Sequence, residues 1–380
     1  MANNGALANA KINKNDEFYT QFSDIEAEMN AYVEYNPDVF RGKTILLPCD
    51  DPEWSNFTRY FATNFEAFGL KKLISTSYAK SIANEQPTLF ELSSPLYDKD
   101  KHATHGKLYT LTHDTNGSGE IDTDDVEFSG YLEGDGDFRS AEVCRLRDEA
   151  DIIITNPPFS LFREFLVWIL SAGKDFIIMG NKNAITYKEV FSLLRDNKIW
   201  TGYTTINGGR WMIMPKGMEI QSGKAKDDGK GNQILNVAGV CWFANIDHGR
   251  RHEPLLLDTL EHNLKYNQKL IKKLRDDFGK VEYPRYDNYD AIEIPFVEAI
   301  PSDYDGQMGV PITFMDKFNP DQFKIVGSFN NSELGRKAEE CYVLSTNTPT
   351  LINGERKLWN GPVVDEKPLY KRIVIERRGK

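Results

Sequence analysis

Cysteine is scarce in this chain. The four present in 380 residues, Cys49, Cys144, Cys241 and Cys341, lie far apart and form no CxxC pair. That excludes a disulfide or zinc framework and points to a reducing compartment, the cytoplasm. No stretch approaches eighteen consecutive apolar residues, so no membrane-spanning helix and no membrane partner are expected. The opening MANNGALANAKINKNDEF lacks a charged segment followed by an apolar core, so no signal peptide is expected either. Basic residues are missing where acid is densest: Asp114 to Asp137 holds nine acidic residues and no Lys or Arg. The net charge of −11 at first counts against a nucleic-acid partner. Its placement weakens that objection, because Lys367 to Lys380 carries six Lys or Arg against Glu376 alone. Histidine pairs of metal-binding type are also lacking. His248 and His252 are four apart with no third ligand evident, and are read as lying near phosphates or solvent.

A chain this long buries a large core, and two domains are the default. Residues 1–14 are small and polar and are read as a mobile N-terminus. An amphipathic helix is predicted from Ser23 to Tyr35, a buried strand at Thr44–Leu47, a helix over 55–68 and a strand at 72–77. Strand, helix and strand in succession imply a parallel sheet. Phe57, Tyr60, Phe61, Phe65 and Phe68 recur at helical spacing and are assigned to the core. Residues 80–130 break this rhythm and read as an insertion. Buried strands return near 152–155 and 175–180. Stretches 208–215 and 240–245 are expected to finish the sheet. A charged helix over 255–278 and a strand-rich remainder follow a composition shift near Asp247.

Within the insertion, Asp114, Asn116, Ser118, Asp122 and Asp125 occupy positions 1, 3, 5, 9 and 12 of a loop, with Gly119 at 6 and Ile121 at 8. Hard oxygen ligands at that spacing, with a glycine to turn the chain, are what a structural Ca2+ loop requires. The closing Asp resembles the dockerin-type variant, and an acidic solvated hairpin is the alternative.

The chain is organised around Ile152-Ile153-Ile154-Thr155-Asn156-Pro157-Pro158-Phe159. A short apolar run closed by two prolines reads as a buried parallel strand ending in a rigid turn. An amide, an aimed carbonyl and an aromatic ring are thereby held at the carboxyl end of a strand, where open α/β sheets bind ligands. A pocket for a planar base bearing an amino group is one reading, and a proline-rich loop with an Asn cap is the other.

Further blocks decide between them. DEFYTQ (16–21), CDDP (49–52), SNF (55–57), GLKKLI (69–74), GDGDFRS (134–140), TNPPFSLF (155–162), ITYKEVF (185–191), YDNYDAI (286–292) and MGVPITF (308–314) occur in one order. In these the chain resembles the N6-adenine DNA methyltransferases, closely the branch typified by the EcoRI modification methylase. The likeness runs from about Asn15 to Gly327 and is less clear beyond.

The resemblance implies an α/β, doubly wound, Rossmann-like sheet that binds S-adenosylmethionine, with a C-terminal target-recognition region. On that basis residues 15–250 are expected to be catalytic and 251–380 to recognise DNA. Phe18, Tyr19 and Thr20 would contact the methionine end of the cofactor, and Asp50, Asp51 and Pro52 would lie where the first strand turns over it. Asp137 would accept from its adenine amino group and Phe138 would pack on that ring. The second strand ends Ser75-Thr76-Ser77-Tyr78 instead of in the acidic ribose ligand of many relatives.

Catalysis is assigned to Asn156, Pro157, Pro158 and Phe159. An adenine N6 lone pair is delocalised into its ring. Accepting both amino hydrogens, at the Asn156 side-chain oxygen and the Pro157 carbonyl, frees that lone pair for in-line attack on the sulfonium methyl. The target atom lies inside the duplex, so the base must be flipped out, with Phe159 stacking on it. Pro48-Cys49 is the only Pro-Cys pair and belongs to the first strand, which excludes a cytosine-C5 mechanism. Double-stranded DNA is the expected partner. A monomer is compatible with the sequence, and no restriction endonuclease is assumed to bind. Between the Lys265–Arg275 charges, read as a solvated helix face, and the basic tail at 371–380 with Tyr370, the tail is the better phosphate-contact candidate. Methylation of an amino group in RNA or of a protein glutamine amide remains the rival, and an inert DNA-binding module the other.

Overall fold

The computed structural model describes residues 18–49, 55–79, 92, 94–214, 225–229, 231–329, 348–352, 355–359 and 361–379. Asp50, Asp51, Pro52 and the N-terminal residues 1–14 lie outside them. The chain divides into two units, Met1–Lys182 with Thr201–His248, and Asn183–Trp200 with Gly249–Lys380.

In the first unit, α1 (Phe22–Tyr35) buries Ile25, Met29 and Tyr32 and stops at Asn36, where Pro37 follows. Strand β1 (Thr44–Leu47) is buried along its whole length. Ser55 accepts from the Phe57 and Thr58 amides and so starts α2 (Asn56–Thr63). The single helix predicted over 55–68 breaks at Asn64, whose side chain donates to the Tyr60 carbonyl at 2.8 Å. A last turn, Phe65–Phe68, closes on Gly69 at φ 63°. The aromatic stripe of this helix is core, as its spacing predicts.

Strand β2 (Lys72–Thr76) pairs parallel with β1, Thr44 opposite Lys72. The stretch read as an insertion supplies two strands of the same sheet, β3 (Lys107–Leu111) and β4 (Glu127–Tyr131), both antiparallel to their neighbours. Helix α3 (Ala141–Glu149), capped by Ser140, leads into β5 (Ile152–Thr155). Strand β5 lies parallel between β1 and β6 (Asp175–Asn181). Between β5 and β6 runs α4 (Phe162–Ser171), preceded by a 3-10 turn over Phe159–Leu161.

Strands β7 (Trp200–Thr201), β8 (Arg210–Ile213), β9 (Ala225–Asp227), β10 (Gln233–Val237) and β11 (Val240–Ala244) complete this part of the chain. The large sheet has the order β4-β3-β2-β1-β5-β6-β11-β7. Four central parallel strands with helical crossovers make it the doubly wound, Rossmann-like α/β sheet expected. One expectation is corrected: β8 does not finish this sheet but joins β10 and β9 in a separate three-stranded one. The burial patterns give the reason. Strand β11 is buried at every position, as an interior strand requires, whereas β8 alternates buried and half-buried residues, as a one-sided sheet does.

The direction of winding reverses between β1 and β5, since β2 lies on one side of that pair and β6 on the other. Ligands of open α/β sheets bind outside the carboxyl ends at such a point. Here those ends are Leu47 and Thr155.

The second unit holds α5 (Lys188–Arg195), α6 (Leu260–Tyr266) and α7 (Gln268–Phe278). The one helix predicted over 255–278 is divided because Asn267 caps α7, accepting from the Leu270 amide at 3.1 Å. Short strands follow: β12 (Ile292–Glu293), β13 (Met308–Pro311), β14 (Phe323–Phe329), the hairpin β15 (Thr348–Ile352) with β16 (Glu355–Trp359), the pair β17 (Val363–Val364) with β18 (Lys367–Pro368), and β19 (Arg372–Arg377). Most of the basic tail, Arg372–Arg377, is therefore a strand. Strand β19 lies inside the sheet β12-β13-β19-β14, with Ile373, Val374 and Ile375 buried. Lys371 donates to the Thr186 hydroxyl at 2.9 Å, and Arg372 is bound to Glu293. Among the described residues no helix is long and apolar enough to cross a membrane.

Candidate active site

Asn156 follows the last residue of β5, and Pro157 and Pro158 hold the chain extended until Leu161 donates back to the Pro158 carbonyl at 2.9 Å. That bond engages the second proline carbonyl. No backbone amide among the described residues donates to the first, that of Pro157. The Asn156 Nδ2 donates to the Phe18 carbonyl at 2.6 Å. A carbonyl oxygen can only accept, so this contact settles which end of the amide is nitrogen. The remaining capacity of the side chain is the second hydrogen of Nδ2 and the acceptor oxygen Oδ1. Phe159 begins the 3-10 turn and is partly exposed.

Phe18, Tyr19 and Thr20 form one extended segment beside this turn. Tyr19 exchanges two backbone hydrogen bonds with Ile213 of β8, at 2.9 and 2.8 Å. The Thr20 carbonyl accepts from Asn56 Nδ2 at 2.8 Å, and its hydroxyl donates to Met179 Sδ at 3.1 Å. Phe18 and Thr20 are buried. Farther along, Glu28 of α1 is wholly buried and accepts from the Tyr203 and Thr204 amides at 2.6 and 2.8 Å and from the Thr204 hydroxyl at 2.6 Å. Burial raises its pKa, partly offset by those donors.

Asp137 and Phe138 sit on a turn against the end of β2. Gly136 has φ +84°, and a Cβ there would stand 2.2 Å from the Ser77 carbonyl oxygen. Only glycine allows that approach of two backbones. We expect Gly136→Ala to lower stability by on the order of 2 kcal/mol in chemical denaturation; an unchanged midpoint would show that the turn has other ways to close. The Asp137 carboxylate takes a forked contact from Arg139, Nε to Oδ1 at 2.9 Å and Nη2 to Oδ2 at 2.6 Å. Arg139 also reaches Glu164 at 3.1 Å. These partners, Asp137 first, raise the guanidinium pKa. The Phe138 ring is buried, edge-on to Phe165 and Trp168 at 5.0 and 5.6 Å.

A family model described as "Adenine-specific methyltransferase EcoRI" matches residues 6–378. The chain belongs to this family. Its relatives include the Type II methyltransferase M.EcoRI of Escherichia coli, 41% identical over 326 residues, covering 86% of this chain and 89% of that protein. The Type II methyltransferase M.MpnI of Mycoplasma pneumoniae is 32% identical over 374 residues, 97% of both chains. M.MgeORF184P of Mycoplasma genitalium is 32% identical over 372 residues, 97% of this chain and 98% of its own. No solved structure gives a significant match. The EcoRI family match continues past Gly327, where the sequence resemblance becomes less clear.

Of the residues that the resemblance to the EcoRI family singles out, the structure brings the Phe18–Thr20 segment into direct contact with Asn156. It sets Asp137 and Phe138 on a separate turn beside β2. The loop expected to hold calcium is closed by its own hydrogen bonds. Asp125 is buried and spends its carboxylate inside the loop, accepting from the Thr115, Asn116 and Asp122 amides at 2.8, 3.2 and 3.0 Å. Asp114 likewise accepts from Gly117 and Gly119, Asn116 from Ser118, and Asp122 from Asp124. Among the described residues no group of three or more His, Cys, Asp or Glu is placed to hold a metal. If the loop holds calcium, a chelator should lower the melting temperature, and an unchanged melting curve would remove that role. His248 is also relocated: it is buried, with Nε2 3.1 Å from the Thr201 carbonyl and its ring edge-on to Tyr32 at 5.4 Å. Asn56 and Ile213 contact expected site residues but have no role legible in the sequence, because these contacts join segments remote in the chain; Arg139 stands two residues from its partner Asp137.

Proposed function

We propose that this protein transfers a methyl group from S-adenosylmethionine to N6 of an adenine flipped out of double-stranded DNA, at a specific site, as the modification enzyme of a restriction-modification system or as an orphan methylase. The observation that carries this reading is the Asn156 amide, tied through Nδ2 to Phe18 so that Oδ1 is left to accept. Together with the Pro157 carbonyl it supplies two acceptors for the two hydrogens of one amino group. The family's description as adenine-specific fits that chemistry.

The cofactor's fit is judged on residues present. The reversal between β1 and β5 is where such a sheet binds ligands; Phe18–Thr20, beside Asn156, would meet the methionine end, and Asp137 would offer the adenine amine a carboxylate that it shares with Arg139. Bound there, S-adenosylmethionine supplies an electrophilic sulfonium methyl. The protein's own share is positioning and electrostatics. Asn156 Oδ1 and Pro157 O draw the amino hydrogens and favour a pyramidal nitrogen with its lone pair aimed outward. Phe159 stacks on the extruded ring and offsets lost base stacking. No strong general base is required, since the amino group becomes acidic only as its new bond forms.

Residues 15–250 would carry this chemistry and 251–380 target recognition. Relatives that match across 97% of this chain are named type II methyltransferases, which favours DNA over RNA or a glutamine amide. The test is incubation with labelled cofactor and unmethylated genomic DNA, then sequencing that detects modified adenines. Label in adenines of one recurring sequence is expected. Label confined to RNA or protein would overturn the reading.

A further inference from the structure

Two asparagine side chains hold the same extended segment at points two residues apart. Asn156 donates to the Phe18 carbonyl and Asn56 to the Thr20 carbonyl, at 2.6 and 2.8 Å. In an extended chain, carbonyls two residues apart lie on one edge. The opposite edge is taken by Ile213 through Tyr19. Asn56 is the first residue of α2 and follows its cap, Ser55, so the helix start fixes its backbone. Its side chain holds the backbone to which Asn156 donates.

We propose that Asn56 is a positioning residue for Asn156. By holding Thr20 it keeps the Phe18 carbonyl where the Asn156 NH2 must donate, and so keeps Oδ1 directed at the substrate. This rests on the acceptor role proposed for Asn156. The physical basis is the pseudo-symmetry of an amide. Half a turn about its last bond exchanges oxygen and NH2 with almost no change in shape. The Phe18 carbonyl rejects the wrong orientation, because two oxygens would then face each other. With that carbonyl displaced the two orientations approach equal energy. In the wrong one, NH2 confronts an amino group that has only hydrogens to offer. The same segment is the one expected to hold the methionine end of the cofactor, so its placement and the orientation of Asn156 share one backbone.

The test uses Asn56→Asp in the full chain. The substitution removes the donor and keeps the shape, and a carboxylate in the first turn of a helix is favourable, so α2 is not weakened. At saturating cofactor and DNA, the single-turnover methyl-transfer rate should fall about 10- to 100-fold, the scale of a small misplacement of a catalytic group. The melting temperature should stay within about 2 °C of the parent, because a single hydrogen bond of a half-buried side chain is lost. Asn56→Ala, which adds no charge, should show the same division. A rate restored fully by saturating cofactor would overturn the proposal, because the segment would then serve cofactor affinity alone. A rate loss that tracks a matching fall in melting temperature in both variants would overturn it too. Asn156→Ala separates the two levels. If it retains turnover, the acceptor role itself fails; if it is inactive while Asn56→Asp is fully active, only the positioning role fails.

Discussion

Asn156→Ala is expected to abolish methyl transfer while leaving cofactor affinity within a few-fold of the parent. Removing one preorganised polar partner of a reacting group costs about 10²–10³ in rate in other enzymes. Here the loss should reach the upper end or beyond. On the proposed role the same side chain would accept an amino hydrogen while it donates to Phe18, so water entering the gap would compete for the amine. Cofactor binding should survive because the Phe18–Gln21 segment keeps its other ties. These are the exchange with Ile213, the bond from Asn56, and the Thr20 hydroxyl on Met179. Calorimetry with S-adenosylmethionine and methyl incorporation into DNA measure the two quantities separately. Turnover above about a tenth of the parent rate, less than the smallest loss of this kind, would sink the assignment. Loss of cofactor binding would instead recast Asn156 as part of the cofactor site.

The second large effect lies in the other unit. Glu293 is 2% exposed and takes a three-contact grip from Arg372, Nε at 3.0 Å to both oxygens and Nη2 at 2.7 Å to Oε1. Tyr286 donates its hydroxyl to the same carboxylate. Burial first, and then that neighbouring negative charge, hold the Tyr286 pKa well above the ordinary phenol range. Gly309 makes room for this arrangement, since a Cβ there would meet the Tyr286 hydroxyl. Glu293→Ala leaves a largely buried guanidinium and a buried phenol without their acceptor. Breaking such a pair from one side costs about 3–5 kcal/mol. Since β19 carries Arg372 through the middle of its sheet, we expect the melting transition of this unit to fall sharply in calorimetry. A melting profile superimposable on the parent's would show that water replaces the carboxylate at little cost. Conservative Glu293→Gln should be milder, because one acceptor oxygen remains.

These two sites differ in how far they can be read from the chain alone. The Asn156–Phe159 turn is contiguous, and its prolines restrict φ whatever surrounds them. Its place at the end of a buried strand therefore follows from Ile152–Thr155 and two prolines. The Glu293–Arg372 pair joins residues 79 apart in a region where short strands give little periodic signal. A run of basic residues near the end then reads only as a candidate for phosphate contact. Pairing turns it into an interior strand, because Ile373, Val374 and Ile375 need cover on both faces.

The loop at Asp114–Asp125 is a different case. Its oxygen spacing is that of a cation site, but spacing alone does not say whether carboxylates face outward together or turn back on their own amides. Asp125 turns back, because the Thr115, Asn116 and Asp122 amides need acceptors once that residue is buried.

By itself, then, the sequence determined the alternating strand-and-helix order, the buried parallel strands, the aromatic core of α2 and the identity of the turn that bears Asn156. Each depends on residues close in the chain, where periodicity, capping and proline act locally. Only the tertiary structure decided that β8 leaves the large sheet and that the basic tail is a central strand. It also decided that the Asn156 amide is oriented by a carbonyl 138 residues away. Those outcomes depend on which distant backbone atoms come within 3 Å of one another, a property of the folded chain that no local pattern encodes.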